Sequence, residues 1–93
     1  MVEKNKAFGR SEDVVVCELQ GGSALLDLHS STYFRLNDTA SFIWEQLGEG
    51  ALSADALADK LIEVYEVEKE TCLPHITHIL DEFHKAKLIT AES

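Results

Sequence analysis

The chain has 93 residues, 45% apolar and 27% charged, the make-up of one small globular domain. At that length a fold buries roughly 60–65% of the surface its unfolded chain exposes, enough for one modest core. That leaves no room for a second domain and little for an enclosed substrate cavity. Eight basic against 17 acidic residues give a net charge of −9, which argues against nucleic acid, because phosphate neutralisation supplies most non-specific affinity there.

Residues 1–11 carry Lys4, Lys6 and Arg10 with little apolar pattern, and read as a flexible N-terminal arm ahead of a folded domain over residues 12–90. Val14-Val15-Val16-Cys17-Glu18-Leu19 is a β-branched run, and Ser23-Ala24-Leu25-Leu26-Asp27-Leu28 a second apolar run. The Gly21-Gly22 pair between them predicts a β-hairpin, since glycine accepts the positive φ of tight turns. His29-Ser30-Ser31 marks the next turn, and Thr32-Tyr33-Phe34-Arg35-Leu36 a third strand. Alternation puts Phe34 and Leu36 on a core-facing side and Tyr33 and Arg35 on a more exposed one.

Asn37-Asp38-Thr39 supplies N-cap chemistry for a first helix carrying Phe42, Ile43, Trp44 and Leu47, stopped by Gly48-Glu49-Gly50. Ser53 caps a second helix, with Leu52 and Leu57 at the N′ and N4 positions of a hydrophobic staple. Its apolar stripe is Leu57, Ala58, Leu61, Ile62 and Tyr65. A third helix carries Ile76, Ile79, Leu80 and Phe83 and stops near Lys87-Leu88. Thr71 as its N-cap would put Pro74 in the first turn, where proline is tolerated. Three strands followed by three helices predict an α+β fold, a three-stranded antiparallel sheet and then a helical layer.

Little in the chain points to catalysis. It contains no glycine-rich phosphate loop and no nucleophile elbow, and its many carboxylates are scattered. No catalytic residue is assigned, and the protein reads as not an enzyme. Cys72, His75 and His78 lie at about 0°, 300° and 240° around a helix. They spiral apart and make a poor metal site, so no metal or cofactor is expected. Cys17 and Cys72 read as small apolar residues. No apolar run approaches the ~18 residues of a membrane span, and MVEKNKAFGR lacks the apolar stretch of a signal peptide, so a cytoplasmic protein without membrane contact is expected. Three helices beside a small sheet suit a winged helix-turn-helix, but the segment from His75 to His84 has no Lys or Arg and carries Asp81 and Glu82. A DNA-binding regulator is therefore a less favoured reading. A short strand with an open edge suits peptide binding by strand addition, unless the helices cover that edge.

The stretch from Ala24 to Leu47 resembles the PqqD family of small proteins through Tyr33-Phe34, Leu36-Asn37, Thr39-Ala40, Ile43-Trp44 and Leu47. The apolar positions Leu57, Leu61, Tyr65, Ile76, Leu80, Phe83 and Leu88-Ile89 extend the resemblance over about residues 12–90. It implies a winged helix-turn-helix-like fold used as a RiPP recognition element. Such a module holds the leader of a ribosomally made precursor peptide and presents it to a modifying enzyme such as a leader peptidase, a cyclase or a radical SAM protein. The same resemblance implies a leader strand added beside the third strand and lying against the third helix. Carried onto this chain, the peptide-binding set is Thr32, Tyr33, Phe34, Arg35, Ile76, Ile79, Leu80, Glu82 and Phe83. The family usually has a glycine near Ser31. A lasso-peptide or similar cluster is the favoured pathway, and a peptide chaperone of quinone-cofactor synthesis acting with a radical SAM enzyme is the alternative.

Overall fold

The computed structural model describes residues 3–20 and 22–91. The strands are β1 (Ala7–Arg10), β2 (Val14–Leu19), β3 (Gly22–Asp27), β4 (Thr32–Leu36), β5 (Leu52–Ser53) and β6 (Ile89–Ala91). The helices are α1 (Asp38–Leu47), α2 (Ala54–Val64) and α3 (Lys69–Lys85). The expected three-stranded antiparallel sheet is present in the order β2-β3-β4. A second small antiparallel sheet, ordered β5-β1-β6, joins the two termini to the α1–α2 connection. The architecture is α+β, as the pattern of elements implies.

The second sheet corrects the reading of residues 1–11 as a loose arm. Ala7–Arg10 is a paired strand, and Phe8 is buried in the core with its ring 5.4 Å from that of His84. Its apolar signal is a single large residue, too short for period-2 alternation to register. Arg10 reaches the end of α1: its guanidinium lies 4.6 Å from the centroid of the Trp44 ring, and Nε donates to the Trp44 carbonyl at 3.0 Å. The last turn of α1 has no basic residue of its own, so Arg10 supplies the cation that a helix C-terminus favours. Burial pulls the Arg10 pKa below its ordinary value, and the nearby Glu45 charge opposes that shift. Gly48 ends α1 with an ordinary φ of −67°, so its role is space. A Cβ there would meet the Arg10 guanidinium at 2.7 Å.

In the β2–β3 hairpin Leu19 pairs with Gly22, so Gly22 is already in the strand. Gly21 lies outside the described residues. At the next turn Ser31 adopts φ 57°, where a Cβ is crowded and glycine is free. Ser31→Gly is therefore expected to raise stability by up to about 1 kcal/mol. A urea titration showing no gain would mean that the turn holds the serine without strain.

The helix caps follow the local chemistry. Asn37 Oδ1 accepts from the Ala40 amide at 2.8 Å, and Ser53 Oγ from the Ala56 amide at 3.2 Å. Two expectations fail. The second helix ends at Val64, so Tyr65 does not continue its stripe; it turns out in extended conformation, its ring edge-on to Phe42 at 6.1 Å. The third helix begins at Lys69, not after Thr71, which places Pro74 in its interior. Proline there leaves the Glu70 carbonyl without its helical donor, and Glu70 is exposed to water. The earlier start buries Cys72 and lets Lys69 Nζ bridge Asp55 at 3.0 Å and Asp59 at 2.9 Å on α2. Hydrogen bonds to Asp59 and Asp55 hold the Lys69 pKa above its usual value.

The core lies where the helices meet the inner face of β2-β3-β4. Leu25, Ile43, Leu57, Ile76, Leu80, Phe83, Leu88 and Ile89 are wholly enclosed. Phe83 is central, with Trp44 edge-on at 6.0 Å and Phe34 edge-on at 5.4 Å.

Candidate peptide-binding edge

The backbone phase of the β2-β3-β4 sheet follows from one bond. The Leu28 amide donates to the Asp13 carbonyl at 2.8 Å, in register with the β2–β3 pairs. Hydrogen-bonded and open pairs alternate in an antiparallel ladder. Residues 13, 15, 17 and 19 therefore turn their backbone groups toward β3, and residues 23, 25 and 27 of β3 turn theirs toward β4. Their β4 partners are Leu36, Phe34 and Thr32. The N–H and C=O groups of Tyr33 and Arg35 point away from the sheet along its outer edge. No further strand pairs with β4 among the described residues, so the edge that the fold might have covered is open.

Side chains alternate as the sequence predicts. Leu36 is buried and Phe34 half-buried against Phe83, while Tyr33 is 60% exposed and Arg35 exposed. A strand added beside β4 would present alternate side chains to the outer face, next to Tyr33 and Arg35. The others would turn toward the helix side of the sheet, where Phe34 meets α3.

On α3 the sequence-predicted set divides. Ile76, Leu80 and Phe83 are fully buried, which corrects their reading as contact residues. They belong to the helix stripe that meets α1, α2 and the sheet, and no ligand reaches them without opening the core. Ile79 packs at the margin of the core, and the Glu82 side chain is 47% exposed. His75, Ile79 and Glu82, spaced four and three apart, share one flank of the helix. Glu82 also faces His78, with Nε2 and Oε1 3.7 Å apart. Thr32, Tyr33, Phe34, Arg35, Ile79 and Glu82 thus remain as candidate contacts, with Phe34 contributing to both core and site.

Periodicity did not single out His75 as a site residue. It lines a cavity of about 330 Å³ with Asp38, Leu61, Tyr65, Val67 and Cys72, where the start of α1 meets the end of α2 and the start of α3. A wider depression of about 930 Å³ lies between the two sheets and includes Arg10, Asp13, Asp27, His29, His84 and Lys87 beside Val14 and Ile89. There His29 pairs with Asp13 at 3.2 Å, and Asp27 accepts from the His29 amide and the Ser30 hydroxyl. Among the described residues no group of three His, Cys, Asp or Glu is placed to hold a metal ion, and no helix is long and apolar enough to cross a membrane. Cys72 is buried, its thiol directed at the Lys69 carbonyl, and Cys17 is half-buried in β2.

Comparison with known proteins identifies the family and the fold. The model of the family described as coenzyme PQQ synthesis protein D (PqqD) matches residues 22–89. The chain belongs to the PqqD family. No curated protein sequence matches it. Among solved structures it is similar to TbiB1 in complex with the TbiA(beta) leader peptide, with a TM-score of 0.79 at 26% identity over 91% of this chain and 98% of that one. It is also similar to a lasso peptide synthetase B1 complexed with the leader peptide, with a TM-score of 0.76 at 29% identity over 89% and 96% of the two chains. The structural matches span nearly the full length of both proteins, and the family match over residues 22–89 includes β4 of this PqqD-family chain.

Proposed function

We propose that this chain is a leader-peptide-binding module of a ribosomal peptide pathway of the lasso type, and that it presents its peptide to a modifying enzyme. The observation that carries this reading is the open β4 edge beside α3, in a chain similar throughout to two proteins solved with leader peptides. The Tyr33 and Arg35 backbone groups would pair with the leader, and Phe34, Ile79 and Glu82 would contact the side chains it turns toward α3. Affinity in such a mode comes from main-chain pairing and selectivity from neighbouring side chains. The module works by binding alone. The leader and its enzyme would be met in the cytoplasm.

Calorimetric titration with the cognate leader is expected to give micromolar or tighter affinity, about −8 kcal/mol or better, with the peptide's mass unchanged afterwards. The net charge of −9 favours leaders carrying Lys or Arg, chiefly through rim contacts and association rate, so added salt should weaken binding only severalfold. Ile79→Glu should cost at least about tenfold in affinity, or about 1.4 kcal/mol. Glu82→Lys, at a more exposed position, tests the same flank with less strain on the fold. Normal binding by both folded variants would move the site off α3. The family's link to quinone-cofactor synthesis keeps a second reading open. Parallel titration with a precursor peptide of that pathway separates the two, because the cognate peptide should bind far more tightly.

A further inference from the structure

The sheet has a second open edge, at β2. The bonding phase that turns Tyr33 and Arg35 outward on β4 also turns the N–H and C=O groups of Val14, Val16 and Glu18 outward on β2. No strand lies beyond β2 among the described residues. Natural sheets usually protect an edge with charged side chains, lysine above all, with proline, a bulge or extreme shortness. Over its six residues β2 has no Pro or Lys, its one charged residue is Glu18 near its end, and its register with β3 runs without a bulge. Val14 packs against the core and Cys17 is half-buried, but three of its apolar side chains are exposed, on both faces. Val15 and Leu19 on the outer face are 42% and 41% exposed, and Val16, on the side that faces the helices, is 52% exposed.

We infer that β2 is a docking edge for an extended segment of the modifying enzyme, apolar at alternate residues and basic at its ends. This rests on the function proposed above. Charge identifies the occupant. Residues 12–19 carry Glu12, Asp13 and Glu18 and no cation, so carboxylates bracket the valines and complement Lys or Arg flanking an incoming strand. The same charges oppose a second copy of the chain. Antiparallel self-pairing through these outward groups, centred on Val15, would set Glu12 opposite Glu18 twice, and like charges directly opposite are destabilising. With the enzyme strand on β2 and the leader on β4, the two would lie in one sheet, four strand spacings or about 19 Å apart. Such a scaffold holds peptide and enzyme in fixed register.

The test uses Val16→Pro, which deletes an outward N–H and leaves the ladder to β3 intact, a place where edge strands accept proline. Association with the purified leader peptidase of the pathway is measured without precursor, and leader binding is measured separately. The expected result is an at least tenfold loss of association with the peptidase, while leader affinity stays within twofold of the unsubstituted chain. Val16→Lys, which keeps the amide and adds an edge charge, should show the same loss if the proline variant fails to fold. Unchanged association of either folded variant with the peptidase overturns the inference. So does a dimer of the unsubstituted chain in sedimentation that Val16→Pro abolishes, since β2 would then belong to a second copy. Failure of the leader to bind the unsubstituted chain counts against the proposed function and is read in a different assay.

Discussion

Trp44→Ala is expected to remove about 3–5 kcal/mol of stability, the usual cost of truncating a buried aromatic side chain. Trp44 is 3% exposed, meets the Phe83 ring at 6.0 Å and is covered by the Arg10 guanidinium at 4.6 Å. Its loss therefore undercuts the centre of the core and frees the strand that carries Arg10. A domain of this size has about 5–15 kcal/mol in total, and each kcal/mol shifts its melting temperature by roughly 4–8 °C. A fall of well over 10 °C should appear in thermal melting followed by circular dichroism. A shift of only a few degrees would mean that the neighbouring side chains collapse into the space, and that Trp44 is not the keystone its contacts suggest.

Arg35→Pro is expected to lower leader affinity about 10- to 100-fold, or about 1.4–2.8 kcal/mol, with little change in melting temperature. The Arg35 amide points out of the sheet, since β4 bonds to β3 through Thr32, Phe34 and Leu36. Proline there removes a donor that the fold does not use and obstructs a strand pairing alongside. Phe34, the residue before it, is already extended, as a residue preceding proline prefers to be. Arg35→Ala is the control. It deletes the guanidinium and keeps the amide, so a much smaller loss separates backbone pairing from side-chain contact. Equal losses in the two variants would assign the effect to the guanidinium. Unimpaired binding by the proline variant would rule out strand addition at β4.

Much of this protein is legible without coordinates. The β-branched run over Val14–Leu19, the alternation over Thr32–Leu36, the caps at Asn37 and Ser53, and the spacing of Ile43, Trp44 and Leu47 are local signals, and each produced the element it announces. The motif running from Tyr33-Phe34 to Leu47 carried the family, which matches over residues 22–89. Spacing also marked the α3 stripe, but periodicity reports only that a face is apolar. It does not distinguish Ile76, Leu80 and Phe83, which the core consumes, from Ile79, which stays at its margin.

What the chain's own pattern determined, then, is the inner face of the sheet, the helical layer and the class of surface it offers. Tertiary structure alone decided how the ends close. Strands β1, β5 and β6 have four, two and three residues, too few for a period to show, and they exist because residues distant in sequence satisfy one another's backbone groups. The open edges were settled in the same way. Whether Tyr33, Arg35 and Val16 keep free amides depends on ladder phase and strand order, which no single strand encodes, because pairing is a relation between segments.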